Sequence, residues 1–172
     1  MLDQEISFRL HFYQLDRASV LNRVRRLGAM ASPFLRDFIL DALRISSPEM
    51  QSDPYSGNDD LVEALYDHYE RLLNARLEGD LAASFDQVLR KLADSNHDIR
   101  LLTSVGAIVM RSALKLTARQ MMWRPFEFAK CGMAMGSLFS FDMSVALHLQ
   151  IEQDRAALAA RSKVRLVAVS CG

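Results

Sequence analysis

Cysteine is scarce in this chain, and its two cysteines are too far apart to form a recognisable site. Cys131 lies in an apolar helical stretch and Cys171 lies one residue from the C-terminus. Their spacing fits neither a disulfide framework nor a Cys-x-x-Cys metal site. The four histidines are scattered as well, and no two of them are four residues apart, as metal ligands on one helix often are. We therefore expect no metal site and a reducing, cytoplasmic environment.

The chain also lacks net charge and long apolar runs. Its 21 basic side chains balance its 21 acidic ones. The densest basic cluster, Arg23, Arg25 and Arg26, is flanked by Asp16 and Asp37, which favours a solvated helix face over a phosphate-binding surface. No segment has the roughly 18 uninterrupted apolar residues of a membrane helix, and the N-terminal residues do not resemble a signal peptide. We expect a soluble protein with no nucleic-acid or membrane partner.

The sequence motifs of common enzyme classes do not occur. The chain contains no Gly-x-Ser-x-Gly elbow, no phosphate-binding P-loop and no Gly-x-Gly-x-x-Gly fingerprint. Cys131 falls on the apolar side of its helix, where core packing explains it better than a role as nucleophile. Four aspartates near predicted helix ends are interpreted as caps and solvated groups and not as paired catalytic carboxylates: Asp80, Asp86, Asp94 and Asp98. We therefore expect that the protein is not an enzyme.

Apolar residues spaced three and four apart are abundant and run through almost the whole chain. This spacing predicts an all-α fold, since strict two-residue alternation is confined to a short run at the C-terminus. The 172 residues are close to the usual size of one domain. We predict a single domain over 1–172 with a helical core over 16–161.

Several residues mark the predicted helix ends. Asp16 is placed to cap a first helix that reaches Leu27, and Ser32-Pro33 supplies a capping hydroxyl and an N-terminal proline for the second. The proline- and serine-rich stretch from Ser46 to Asn58 predicts the one long loop. The next helix is predicted to begin at Asn58 or Asp59.

The second half of the chain is predicted to hold the longest helices. Gly79-Asp80 interrupts the chain, and the polar stretch Ser95 to Asp98 predicts a turn. A helix of roughly twenty residues follows, and Pro125 is predicted to open a last helix that runs to about Arg161. Together these two helices are longer than one small core needs. We therefore predict a homodimer that forms through them.

The last helix begins in an unusual run of methionine and aromatic residues, which we interpret as core packing or as the lining of a ligand cavity or partner surface. Gly132 and Gly136 in the same run would allow another backbone to approach closely. The run contains Met121, Met122, Trp123, Phe126, Phe128, Met133, Met135, Phe139, Phe141 and Met143.

Three segments resemble, in order, the globin domain of globin-coupled sensors and protoglobins. They are YQLDRASVLNRVRRLGAMASPFLRDFILDALRISSPEM, which begins at Tyr13, YERLLNARLEGDLAASFDQVLRKLADSNHDIRLLTSVGAIVMRSALKL, and SFDMSVALHLQIEQ, which ends at Gln153. The resemblance is a pattern of helix lengths and apolar positions. It implies a globin-like fold of about seven to eight helices with a short N-terminal pre-helix.

The chain departs from this family at the residues that would hold haem. Ala42 and Leu43 stand where the family has a Phe-Tyr pair whose tyrosine hydrogen-bonds the haem ligand, and Ala93 stands in place of the proximal histidine. His97, four residues further on, is the nearest substitute, and His68 is interpreted as a helix-surface or hydrogen-bonded histidine.

The resemblance and these departures together imply a haem-free member of the group. Relatives of that kind include globin-like domains of stress-response regulators and globins associated with bilin biosynthesis. We therefore expect a sensor, regulatory or ligand-binding protein without haem, with a small apolar molecule or a linear tetrapyrrole as ligand. The alternative is a haem gas sensor with His97 as axial ligand, and a third hypothesis is an enzyme whose site the sequence does not reveal.

Overall fold

The computed structural model of the chain describes residues 2–46, 59–77 and 80–170. Within these ranges every regular element is a helix, which confirms the all-α class for this part of the chain. The globin-like arrangement of the helices stays a prediction. The helices are α1 (Leu2–Phe12), α2 (Ala18–Ala31), α3 (Leu35–Ser46), α4 (Asp59–Leu73), α5 (Asp80–Asp94), α6 (Arg100–Gln120) and α7 (Pro125–Ser170), and a short 3₁₀ helix (Ser32–Phe34) joins α2 to α3.

Most of the predicted helix ends from Asp59 onward are confirmed. Helix α4 begins at Asp59, α7 begins at Pro125, and the predicted turn separates α5 from α6. Helix α6 has 21 residues, close to the predicted length. Helix α7 continues to Ser170, beyond the predicted end near Arg161. The predicted long loop after Ser46, the predicted break at Gly79, and Cys171 lie outside the described residues.

The predicted caps of α2 and α3 are wrong. The residue at the start of α2 is Arg17, and no side chain caps the helix there. The Oδ2 atom of Asp16 instead lies 2.8 Å from Nδ1 of His11. Ser32 does not cap α3, because the chain passes from α2 into the 3₁₀ helix with Ser32 itself in helical geometry. A capping hydroxyl has a role only where the backbone leaves the helix.

One hydrophobic cluster contains buried residues from all the described α-helices. Helix α3 packs against α6, α4 packs against α5, and α7 packs against α6 and α2. The largest fully buried side chains at the centre are Tyr69 and Phe85, together with Phe141 on α7. Ala42 and Leu43 are also fully buried, as residues of the apolar face of α3.

By length and composition alone, α6 could cross a membrane. Its apolar character has a simpler explanation, because one side of the helix forms part of the core and packs against α3 and α7. A core helix of a water-soluble fold meets the same criteria of length and hydropathy.

Candidate functional site: a buried polar junction of four helices

His68 is a fully buried polar residue in the apolar face of α4. Both nitrogens of its ring have partners. Nδ1 lies 3.0 Å from Oγ of Ser84 on α5, and Nε2 lies 3.1 Å from Oδ1 of Asp142 on α7. Ser84 and Asp142 are themselves buried. Of the two interpretations given for His68, a hydrogen-bonded and a helix-surface histidine, the structure agrees with the first. The side chain lies in the interior.

The hydrogen bonds of this junction run from α5 through His68 to α7. The hydroxyl of Ser84 donates to the carbonyl of Leu81 at 2.8 Å and lies 3.0 Å from Nδ1 of His68. A neutral imidazole carries one proton, so its tautomer decides which ring nitrogen donates. With the proton on Nε2 the ring donates to the Asp142 carboxylate, and with the proton on Nδ1 it donates to the Ser84 hydroxyl.

Tyr69 and Gly106 bring α6 into the same junction. The hydroxyl of Tyr69 donates to the carbonyl of Leu102, at 3.1 Å. A Cβ atom built on Gly106 would lie 2.9 Å from that hydroxyl and 3.4 Å from Oδ2 of Asp142. Glycine at this position therefore makes room for two polar groups inside the core. The junction joins α4, α5, α6 and α7 through a small set of buried hydrogen bonds.

The stability of the protein at alkaline pH tests whether Tyr69 is buried in the junction. Burial, and secondarily the negative charge of Asp142, hold the pKa of Tyr69 well above its usual 10.0. The unfolded chain loses this proton first, so the stability that Tyr69 contributes is complete below pH 10 and is lost as the pH rises from there toward the higher folded pKa. The free energy of unfolding should fall above pH 10.

The variant Tyr69→Phe should weaken that alkaline loss, because phenylalanine has no proton to release. At neutral pH it should cost about 0.5–1.5 kcal/mol for the lost hydrogen bond. Urea unfolding of both proteins between neutral pH and pH 11 measures the two effects. Tyr66→Phe is the control, since Tyr66 is only partly buried. Equal alkaline slopes for wild type and Tyr69→Phe would contradict the assignment.

Serine, histidine and aspartate together are the residue types of an acyl-transfer triad, but their arrangement here does not suit catalysis. The exposed fractions of Ser84, His68 and Asp142 are 4%, 0% and 1%. A nucleophile must reach the carbonyl carbon of its substrate, and the Ser84 hydroxyl is enclosed and directed at a backbone carbonyl. The junction is suited to holding helices together.

The residues that the resemblance to globins singled out as possible haem contacts lie at different places in the structure. Between α4 and α5 the rings of His68 and Phe85 touch edge to face, with centroids 4.5 Å apart, and the two nitrogens of His68 are already bonded. Ala93 is exposed. It shares with the half-buried His97 a surface cleft of about 290 Å³, which also touches α7 at Gln150. This volume lies at the lower end of the range of about 300–1,000 Å³ typical of small-ligand pockets.

The other sequence-predicted residues lie at separate places. His11 is exposed beside Asp16, and this hydrogen bond lowers the pKa of Asp16. His148 is half-buried on α7. Cys131 is buried, as predicted, and burial raises the pKa of its thiol. Asp98 accepts a hydrogen bond from the backbone N–H of Arg100 and so supports the start of α6. The remaining described carboxylates of the predicted set, Asp86 and Asp94, are exposed.

The methionine and aromatic run divides into a buried and an exposed part. Met121, Met135 and Phe141 lie in the core. The exposed fractions are 66% for Met122, 87% for Trp123, 84% for Phe126 and 75% for Met133. We use "the α7 stripe" for the exposed line of side chains along this helix: Phe126, Ala129, Met133, Gly136, Ser140, Leu147 and Ile151.

Sequence reasoning missed Ser84 and Asp142. Asp142 follows the core residue Phe141 directly and stands three residues before Val145, so it falls on the apolar face of its helix. A lone carboxylate on such a face needs a partner inside the core. That position was the available indication, because His68 occupies a similar place on α4.

Comparison of this chain with protein-family models, with curated proteins and with solved structures gave no significant match. The resemblance to sensor globins thus rests on helix lengths and apolar positions alone.

Proposed function

We propose that this protein is a haem-free, globin-like regulatory domain that binds a small apolar molecule or a linear tetrapyrrole and acts as a homodimer through α6 and α7. The α7 stripe is the observation that carries the proposal. Its exposed large side chains include Phe126 and Met133, at 84% and 75%. Burial of such a surface against a partner stabilises a complex by about 25 cal/mol for each Å² of apolar area removed from water.

The spacing of the α7 stripe suits pairing with a second copy of the same helix. Its first members are separated alternately by three and four residues, which is the spacing of contact positions in paired helices. Small residues, Ala129, Gly136 and Ser140, alternate with the large ones. A Cβ atom built on Gly136 meets nothing within 4 Å in this chain, which leaves space there for a partner. A twofold dimer brings one such surface against its own copy.

The length of α7 supports the same partner. Its 46 residues span about 69 Å at 1.5 Å per residue. Residues 151–156 are all exposed, so the helix has left the core by this point. Ile151 and Leu158 there have exposed fractions of 49% and 64%. Most of the stability of a protein helix comes from the packing of one of its faces, and a second α7 would supply that packing where the helix has left the core. Helix α6 lies against α7 and would join the interface.

The haem-free part of the proposal rests on His68. Binding of iron would require this imidazole to give up either Ser84 or Asp142, and it would leave a buried polar group without a partner. His97 has no such restraint, but its cleft is open and small.

An absorption spectrum tests the haem-free state. Protein expressed with added haem should show no Soret band, and titration with biliverdin should shift the absorption of that linear tetrapyrrole on binding. A Soret band in the purified protein that disappears in His97→Ala would overturn the proposal in favour of a haem gas sensor with His97 as axial ligand.

Sedimentation velocity tests the dimer. Wild-type protein should sediment at twice the 19.5 kDa mass of the chain, and Met133→Glu should shift it to the monomer, since two carboxylates would face each other across the twofold axis. Phe8→Glu is the matched control, because Phe8 is an apolar side chain of α1 with a similar exposed fraction, 67%. Monomeric wild type, or a dimer that Met133→Glu leaves intact, would contradict the proposal.

A further inference from the structure

A cleft lies where α1, α2 and the end of α4 meet. Its volume is about 550 Å³, within the range of about 300–1,000 Å³ typical of small-ligand sites. Buried apolar side chains, Leu15 and Leu77, form its floor, and the partly buried Leu10 adds to it. The cleft is remote in the chain from the α7 stripe, and none of the junction residues lines it.

Two arginines line the same cleft, and neither forms an ion pair with a residue that the structure describes. Arg25 projects from α2 and donates a hydrogen bond to the neutral side-chain oxygen of Asn22, at 3.3 Å. Arg76 follows α4 and forms no ion pair with a described residue. The one acidic residue in the lining, Asp16, is paired with His11 at 2.8 Å. Among the described residues, the cleft thus combines an apolar floor with two guanidinium groups that form no ion pair.

Arg76 follows a residue with an uncommon backbone geometry. Just beyond the end of α4, Ala75 adopts left-handed geometry, with φ at 54°. The N–H of Ala75 donates to Leu72 and the N–H of Arg76 donates to Arg71, which together close the helix end. Left-handed geometry costs a residue with a Cβ atom about 1 kcal/mol. This strained turn directs the chain so that Arg76 and Leu77 both line the cleft.

We infer that this cleft binds a small organic anion, whose carboxylate or phosphate head pairs with Arg25 and Arg76 while its apolar body lies on Leu15 and Leu77. Guanidinium groups match the geometry of both kinds of oxyanion. The apolar floor requires a body that water solvates poorly, so inorganic anions should bind more weakly than aromatic acids. This inference rests on the proposed function in one respect, because it supplies the site at which a small ligand would bind. It requires neither the proposed dimer nor the absence of haem.

Calorimetric titration with 1-naphthoate and with phenyl phosphate tests this site on the wild-type chain. At least one probe should bind, and the two probes distinguish a carboxylate head from a phosphate head. The double variant Arg25→Gln/Arg76→Gln should weaken that binding by about tenfold or more, since each lost guanidinium removes a charge-assisted hydrogen bond. The neutral analogue 1-naphthalenemethanol should bind wild type more weakly than 1-naphthoate by a similar factor.

Two further variants distinguish binding in the cleft from an effect of the overall charge of the protein. Arg90→Gln removes an exposed arginine from α5 and should leave binding unchanged. Ser7→Trp fills the cleft from its exposed rim and should block binding with both arginines present. Circular dichroism checks the fold of each variant. The inference is overturned if neither probe binds in the millimolar range, or if the double variant binds as wild type does. A monomeric protein that still binds naphthoate would contradict only the dimer.

Discussion

Gly28→Ala should destabilise the protein by about 3 kcal/mol or more, because overpacking against backbone cannot be relieved by a change of rotamer. A Cβ atom built on Gly28 would overlap the carbonyl oxygen of Leu73 and lie 2.6 Å from its carbonyl carbon. The contact joins α2 to the last turn of α4. A single methyl group would therefore push two core helices apart.

Gly132→Ala provides a control with the same chemical change and the opposite expected sign. Gly132 is also inside an α-helix, but a Cβ atom built there meets nothing within 4 Å. Alanine should stabilise the protein at this position by about 0.5–1 kcal/mol through its higher helix propensity. Urea unfolding measures both variants. A loss of less than about 1 kcal/mol in Gly28→Ala, at the low end of overpacking costs, would show that α2 and α4 do not cross this closely.

These two glycines illustrate where the sequence is informative and where it is not. Gly132 and Gly136 are four residues apart, a spacing that predicts close approach of another backbone, and nothing in the described chain lies within 4 Å of a Cβ atom built at either position. Close approach at these two glycines therefore stays a prediction for a partner chain. Gly28 is part of no such pattern, and its Cβ position is blocked. A glycine's surroundings depend on how two helices cross, and apolar periodicity along one helix carries no information about the crossing.

Helix ends were predictable where the local sequence determines them. Pro125 opens α7 because its fixed φ and missing N–H suit the first turn of a helix, and Asn96 adopts the left-handed geometry that ends α5, at φ 56°. Asp16 was not predictable in this way. The carboxylate of Asp16 could pair either with the N-terminus of α2 or with His11. The end of α1 places Nδ1 of His11 2.8 Å from Oδ2 of Asp16.

The polar junction was only partly predictable. His68 stood out on an apolar face of α4, whereas its acceptor lies 74 residues away on α7. Pairing at such a separation depends on the packing of α4, α5 and α7, which no local pattern encodes. The sequence could indicate that buried polar groups need partners, but it could not identify which ones meet.

Asp142→Ala should destabilise the protein by about 3 kcal/mol, since it leaves the buried Nε2 of His68 without a partner and opens a small cavity. Asp142→Asn should cost less. Asparagine carries both a carbonyl acceptor and an amide donor, so it can pair with Nε2 of His68 in either tautomer. Asp86→Ala is the control, because Asp86 is exposed on α5, and it should change stability by no more than about 0.5 kcal/mol.

The double variant His68→Leu/Asp142→Leu distinguishes a hydrogen-bonded pair from two independent packing sites. When both polar partners of a buried pair are replaced by apolar groups, the cost is often small, whereas removal of one partner leaves the other desolvated and unpaired. The double variant should therefore be destabilised by less than the sum of the single variants His68→Leu and Asp142→Leu, with a coupling of about 1–3 kcal/mol. Additive effects in urea unfolding would mean that the 3.1 Å contact between Nε2 and Oδ1 does not link α4 to α7.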